Sequence, residues 1–163
     1  MGREITTGAY WFYRREYNKS GMNMDIVLQD SVDGAVLQTA ALEAIKRKPF
    51  LRLTCEKSED GRQYLLVKNN RPFFAVRNSG FVNYDSPTSN GYLWSLGYDE
   101  NHIYLSIFHG LTDGLGLVSV AKLILRIYFS ILTEGSFPQG QDDFADAGRR
   151  RNLEISLLLS ISP

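Results

Sequence analysis

The chain is short of several things that would narrow its chemistry. It has one cysteine in 163 residues, Cys55, which excludes an intrachain disulfide and points to no oxidising compartment. The thiol sits in an apolar and basic strand and is expected to be buried rather than reactive. Charge is in balance, with 18 basic and 18 acidic residues, so no global field draws in nucleic acid or anionic lipid. Basic clusters do occur at Lys46-Arg47-Lys48 and Arg149-Arg150-Arg151, but such runs are commonly solvated ends, and no nucleic-acid partner is expected. There is no positive-then-apolar leader, because Arg3, Glu4 and Thr6-Thr7 interrupt any apolar core. No run reaches the ~18–20 uninterrupted apolar residues of a membrane span. The longest, Leu115 to Leu132, is broken by Ser119, Lys122, Arg126 and Ser130. There is no internal repeat. These absences together predict a soluble, cytoplasmic chain.

What is present reads as one ordinary domain, with 44% hydrophobic and 22% charged residues. Residues 1–21 are aromatic-rich, with Tyr10-Trp11-Phe12-Tyr13, and predict a first strand or a docking arm. Met22 to Gln29 alternates as a half-buried strand. Asp30-Ser31 then offers a cap, and apolar residues from Val36 through Ile45 recur at helical spacing until Pro49. Phe50 to Glu56 and Arg62 to Val67 predict strands around a turn at Ser58-Glu59-Asp60-Gly61. A short strand is expected over Phe73 to Arg77 and a loop over 78–90. A second hairpin joins Tyr92 to Tyr98 with Ile103 to Phe108, and a helix runs from Asp113 to Leu132. The order predicts an α+β two-layer sandwich, mostly antiparallel, with the helices on one face. Residues 1–135 form one lobe, and 136–163 read as a linker and tail that ends as a strand or a helix.

The stretch from Ser106 to Gly116, SIFHGLTDGLG, carries the chemistry. It sets His109 at the end of an apolar strand and Asp113-Gly114 at the start of an apolar helix. An imidazole is the one group there that exchanges a proton near neutral pH. A plain alternative is a turn in which Asp113 caps the helix and His109 closes the strand. His102, in the hairpin turn, is expected only to pack.

This motif, in its strand–helix setting, resembles the coenzyme A-dependent acyltransferase superfamily. That group includes chloramphenicol acetyltransferase, condensation domains of peptide synthetases and alcohol acetyltransferases. The likeness is to an amino-terminal lobe and spans residues 20–133, with Ala44 to Arg52 similar to the helix-to-strand junction of these enzymes. The resemblance implies a catalytic site of His109, Asp113 and Gly114. His109 would act as general base for an alcohol or amine acceptor that attacks the thioester of an acyl-coenzyme A or an acyl carrier. It implies acyl-coenzyme A as co-substrate, with no metal and no resident cofactor. Asp113 is implied to be structural, braced by Arg47 or Arg52 in a bidentate pair, and Gly114 and Gly116 to permit close backbone packing. Two departures stand out. Phe108 replaces the first of two successive histidines found in condensation domains, and the D-F-G-W-G motif of a second lobe is absent. A piece of a longer enzyme, or self-association that completes the site, would each account for the missing lobe. A non-catalytic binding or assembly module that keeps the fold is the other reading.

Overall fold

A computed structural model describes residues 3–4, 21–61, 63–137 and 156–161, the first and last of these as backbone strands only. Among the described residues, eight strands and two α-helices follow one another in the order β1 (Arg3–Glu4), β2 (Gly21–Val27), α1 (Gly34–Arg47), β3 (Leu53–Lys57), β4 (Tyr64–Lys68), β5 (Val76–Arg77), β6 (Trp94–Asp99), β7 (His102–Phe108), α2 (Gly114–Glu134) and β8 (Ser156–Ile161). A turn of 3-10 helix, Pro49–Arg52, links α1 to β3. The α+β class expected from the sequence is the class observed. The predicted aromatic run at 10–13 lies outside the described residues.

The strands form two sheets rather than one. Five of them order as β5-β6-β7-β2-β8, and β1-β4-β3 form a separate three-stranded sheet. All pairings are antiparallel except β5 with β6. The register explains where the core sits. Met22, Met24 and Ile26 of β2 lie opposite Ile107, Leu105 and Ile103 of β7, which lie opposite Trp94, Leu96 and Tyr98 of β6. Because side chains alternate along a strand, these nine share one face. On that face they pack with Leu37, Ala40, Ala41 and Ala44 of α1 and with Leu117, Val120, Ile124 and Ile127 of α2. The alanines of α1 leave the two helices room to approach. Each fully buried Leu or Ile contributes ~1.5–3 kcal/mol of transfer free energy.

Several boundaries differ from expectation. Asp33, not Asp30-Ser31, caps α1, and its carboxylate accepts from the amides of Ala35 and Val36 at 2.9 and 3.0 Å. The residues before it remain extended because Leu28 and Val32 donate to the carbonyls of Asn101 and Glu100 in the β6–β7 turn. Pro49 does not merely end α1; it opens the 3-10 turn, which delays β3 until Leu53. The strand read over Phe73 to Arg77 shrinks to two residues, since Phe73 is held in the core, stacked on Trp94 at 4.1 Å between ring centres. Cys55 is only partly buried, on the small sheet. The tail contributes a strand, β8, along the edge of β2. Helix α2 is by length and composition long and apolar enough to cross a membrane, although polar residues interrupt it. In this fold Leu117, Val120, Leu123, Ile124 and Ile127 are core residues.

Candidate active site

Strand β7, the middle strand of the five-stranded sheet, delivers the motif at its C-terminal end, and α2 carries the chain away from it. Between them Leu111 donates its amide to the carbonyl of Phe108 at 2.9 Å, closing a four-residue turn with His109 at its second position. Phe108 is fully buried whereas His109, one residue on, is exposed. The Phe108 ring lies against Gly110, where an added Cβ would collide with it. The ring also packs on Tyr84, with centres 6.1 Å apart. Leu93 completes this small cluster, and Cys55, Leu66 and Leu111 lean on it. The imidazole is therefore displayed on a turn whose underside is pinned by an aromatic anchor.

Asp113 is the N-cap of α2. Its carboxylate accepts from the Gly116 amide at 2.8 Å and its carbonyl accepts from Leu117 at 2.9 Å. Neither predicted arginine reaches it. Arg47 pairs with Glu43 at 3.1 Å, one helical turn back, and Arg52 donates from Nε to the carbonyl of Asn69 at 3.2 Å. Each arginine finds an acceptor close to its own segment, and the helix N-terminus occupies Asp113. The motif aspartate is thus held by backbone donors, not by a guanidinium.

The glycines divide. At Gly116 a Cβ would strike the Thr112 side chain, so close packing is real there. At Gly114 a Cβ would meet nothing within 4 Å, which corrects the expected crowding at that position. Gly114 is exposed, and so are its neighbours Asp113 and Leu115, the latter at 82%. His109, Asp113, Gly114 and Leu115 all sit on the exposed β7–α2 junction.

The second histidine does more than pack. His102 Nδ1 lies 2.9 and 3.2 Å from the two carboxylate oxygens of Asp25, and its ring stacks on Tyr104 with centres 5.5 Å apart. The β2–β7 register pairs Asp25 with Tyr104, so His102 reaches it on the diagonal. This pair stands at the opposite end of β7 from His109, roughly 20 Å away at the usual strand rise. The two histidines do not form one site. Among the described residues no group of three or more His, Cys, Asp or Glu side chains could hold a metal ion.

A further residue escaped the sequence. The Tyr84 hydroxyl is buried and is the one buried side-chain polar atom among the described residues with no hydrogen-bond partner. Burial, reinforced by the charge of Asp85, pushes its phenol well above the ordinary tyrosine range.

The fold of the described residues is similar to part of several condensation domains and of a polyketide synthase associated protein in solved structures. Polyketide synthase associated protein 5 from Mycobacterium tuberculosis superposes with a TM-score of 0.64 at 18% identity, over 85% of this chain and 35% of its own. The starter condensation domain of rhizomide synthetase, solved as a variant in complex with C8-CoA, gives 0.62 at 17% identity over 86% of this chain and 38% of its own. The first condensation domain of the calcium-dependent antibiotic synthetase, with a substrate analogue, gives 0.59 at 12% identity over 86% and 40%. The chain spans between 35% and 40% of the length of these structures. No family model and no curated protein sequence matches it.

Proposed function

We propose that this chain is a lobe of an acyltransferase, with the two-layer arrangement of the chloramphenicol acetyltransferase type, in which His109 is the general base. The observation that carries the reading is the exposed imidazole on the β7–α2 turn of a chain with a condensation-domain fold. In the reaction, the neutral imidazole takes the proton of an acceptor hydroxyl or amine as its oxygen or nitrogen attacks the thioester carbonyl carbon. The tetrahedral adduct then expels the thiolate as the carbon–sulfur bond breaks, and the imidazolium returns the proton to sulfur. No charge or atom is left over.

In this proposal acyl-coenzyme A, or an acyl carrier, is the donor. That some neighbours were solved with C8-CoA, and one with C8-CoA and Leu-SNAC together, supports a small-molecule donor and acceptor. Asp113 contributes by fixing the first turn of α2, and Gly114 by leaving space beside the base. The exposed surface around His109 and Leu115 is where a second lobe or a partner copy would exclude water. Desolvation there would strengthen proton transfer.

The test is acyl transfer from a panel of acyl-coenzyme A thioesters to alcohols and amines, using the full chain and its His109→Ala variant. Thiol release that disappears in the variant, with folding unchanged, is the expected result. Equal rates in both would remove His109 from the reaction.

A further inference from the structure

Among the described residues the two sheets leave four strand edges, and three of them are blunted. β1 is Arg3–Glu4, two charged residues, and β5 is Val76–Arg77, equally short. β3 ends in Glu56-Lys57. Short length and charge are what discourage an edge from pairing with another chain. β8 has neither. It is six residues long, Ser156–Ile161, with the sequence SLLLSI, no charge and no proline. It pairs with β2 along one side, and no described strand lies along the other. A row of backbone amides and carbonyls on that side is a template for one more strand.

The sequence of β8 indicates which strand fits. Ser156-Leu157-Leu158-Leu159-Ser160 reads the same in both directions. Antiparallel pairing of two copies of β8, centred on Leu158, sets Ser156 of one copy opposite Ser160 of the other, Leu157 opposite Leu159, and Leu158 opposite itself. Each of these rungs matches serine with serine or leucine with leucine. The register on the inner side agrees. β2 holds Leu157 and Leu159 in the rungs of Ile26 and Met24, and Ser156, Leu158 and Ser160 in those of Val27, Asp25 and Asn23. Ile26 and Met24 belong to the face that the helices cover. Pairing about Leu158 therefore continues that face from one copy to the next. A register shifted by one residue would join the helix-covered face of one copy to the outer face of the other.

We propose that the strand beside β8 is the β8 of a second copy of this chain, paired antiparallel about a two-fold axis through Leu158, so that two five-stranded sheets become one of ten strands. The assembly is isologous and closed, since each β8 has one free side. Both copies keep their helices on the same face. The axis reverses the strand direction, and His109 follows directly on the Gly21–Phe108 rung, so the two His109 turns stand at opposite ends of the joined sheet. Each turn is left to its own subunit. The inference rests on the strand register and not on the proposed acyl transfer.

Sedimentation equilibrium of the full chain and of two double variants tests it. Ser156→Lys with Ser160→Lys sets like charges opposite each other in two rungs of the joint, whereas Ser156→Lys with Ser160→Glu sets opposite charges in the same rungs. A contact of six residues is small, and the wild-type dimer is expected to exchange with monomer at micromolar concentrations. The mixed-charge variant should dimerise about twofold to thirtyfold more tightly, the gain from two cross-strand ion pairs, and the all-lysine variant should weaken by a similar factor or more. Melting temperatures confirm that each variant folds. The mixed-charge variant reports by a gain, so it decides the matter even where the all-lysine variant does not fold. A wild-type chain that stays monomeric up to ~1 mM overturns the pairing. So does a dimer of equal strength in all three proteins, which would place the contact on another surface.

Discussion

The ring of Phe108 fills the place that a side chain at Gly110 would need, and through that contact the buried end of β7 dictates the shape of the turn that carries His109. Gly110→Ala forces the ring, the turn or both to move. Overpacking of this kind costs ~1–3 kcal/mol, and we expect a loss of that size in chemical denaturation. Acyl transfer should fall further than stability does, because a displaced turn re-aims the imidazole. A variant as stable as wild type would mean that the Phe108 ring yields easily.

Asp113 separates two explanations of the motif. A helix cap needs only a side-chain oxygen, and asparagine supplies one as well as aspartate does. Asp113→Asn is therefore expected to keep the wild-type melting temperature, while Asp113→Ala loses ~0.5–2 kcal/mol. A guanidinium brace would behave otherwise, since removal of the charge alone would cost most of the bond. Thermal melts of the two variants decide between them.

The two motif glycines should part company. At Gly116 an alanine methyl runs into Thr112, so Gly116→Ala destabilises the first turn of α2, and the double variant with Thr112→Ser recovers part of the loss. Gly114 faces open space, and Gly114→Ala should change folding stability by no more than ~0.5 kcal/mol. If Gly114→Ala nevertheless depresses acyl transfer, the space beside His109 is used by substrate.

Much of this architecture is legible in the residues, and the reasons show where legibility stops. Alternation of Met22, Met24 and Ile26 marks β2, and the apolar stripe from Leu37 to Ile45 marks α1, because both patterns are local consequences of strand and helix geometry. The strand–turn–helix setting of His109 is local in the same sense. Partner choice is not. Arg52 turns to Asn69 through the β3–β4 ladder, and Asp25 meets His102 across the β2–β7 register, contacts that join residues 17 and 77 positions apart. A sequence that offers two arginines and an aspartate does not say which acceptor each will find. The second sheet was hidden for a related reason, since a hairpin signal at Ser58 to Gly61 does not reveal that β4 will pair with β1 instead of joining the larger sheet. Had the register been known, Asp25 and His102 would have been found on one face by counting.

Tyr84 offers the last test, and it concerns pH. Its hydroxyl is buried without a partner, an arrangement that costs ~1–3 kcal/mol. Tyr84→Phe removes the hydroxyl and keeps the ring against Phe108, so the variant should be as stable as wild type or more so at neutral pH. The sign of the pH dependence follows from the raised phenol. An unfolded chain ionises this tyrosine near its ordinary value, whereas the folded chain resists ionisation until a higher pH. The folded state thus keeps its full stability below the ordinary tyrosine range and loses it as pH rises from there toward the elevated folded value. Denaturation midpoints measured from pH 8 upward should fall less steeply in Tyr84→Phe than in wild type. Parallel curves would mean that water reaches the hydroxyl, and the cluster beneath the His109 turn would then be open to solvent and not sealed.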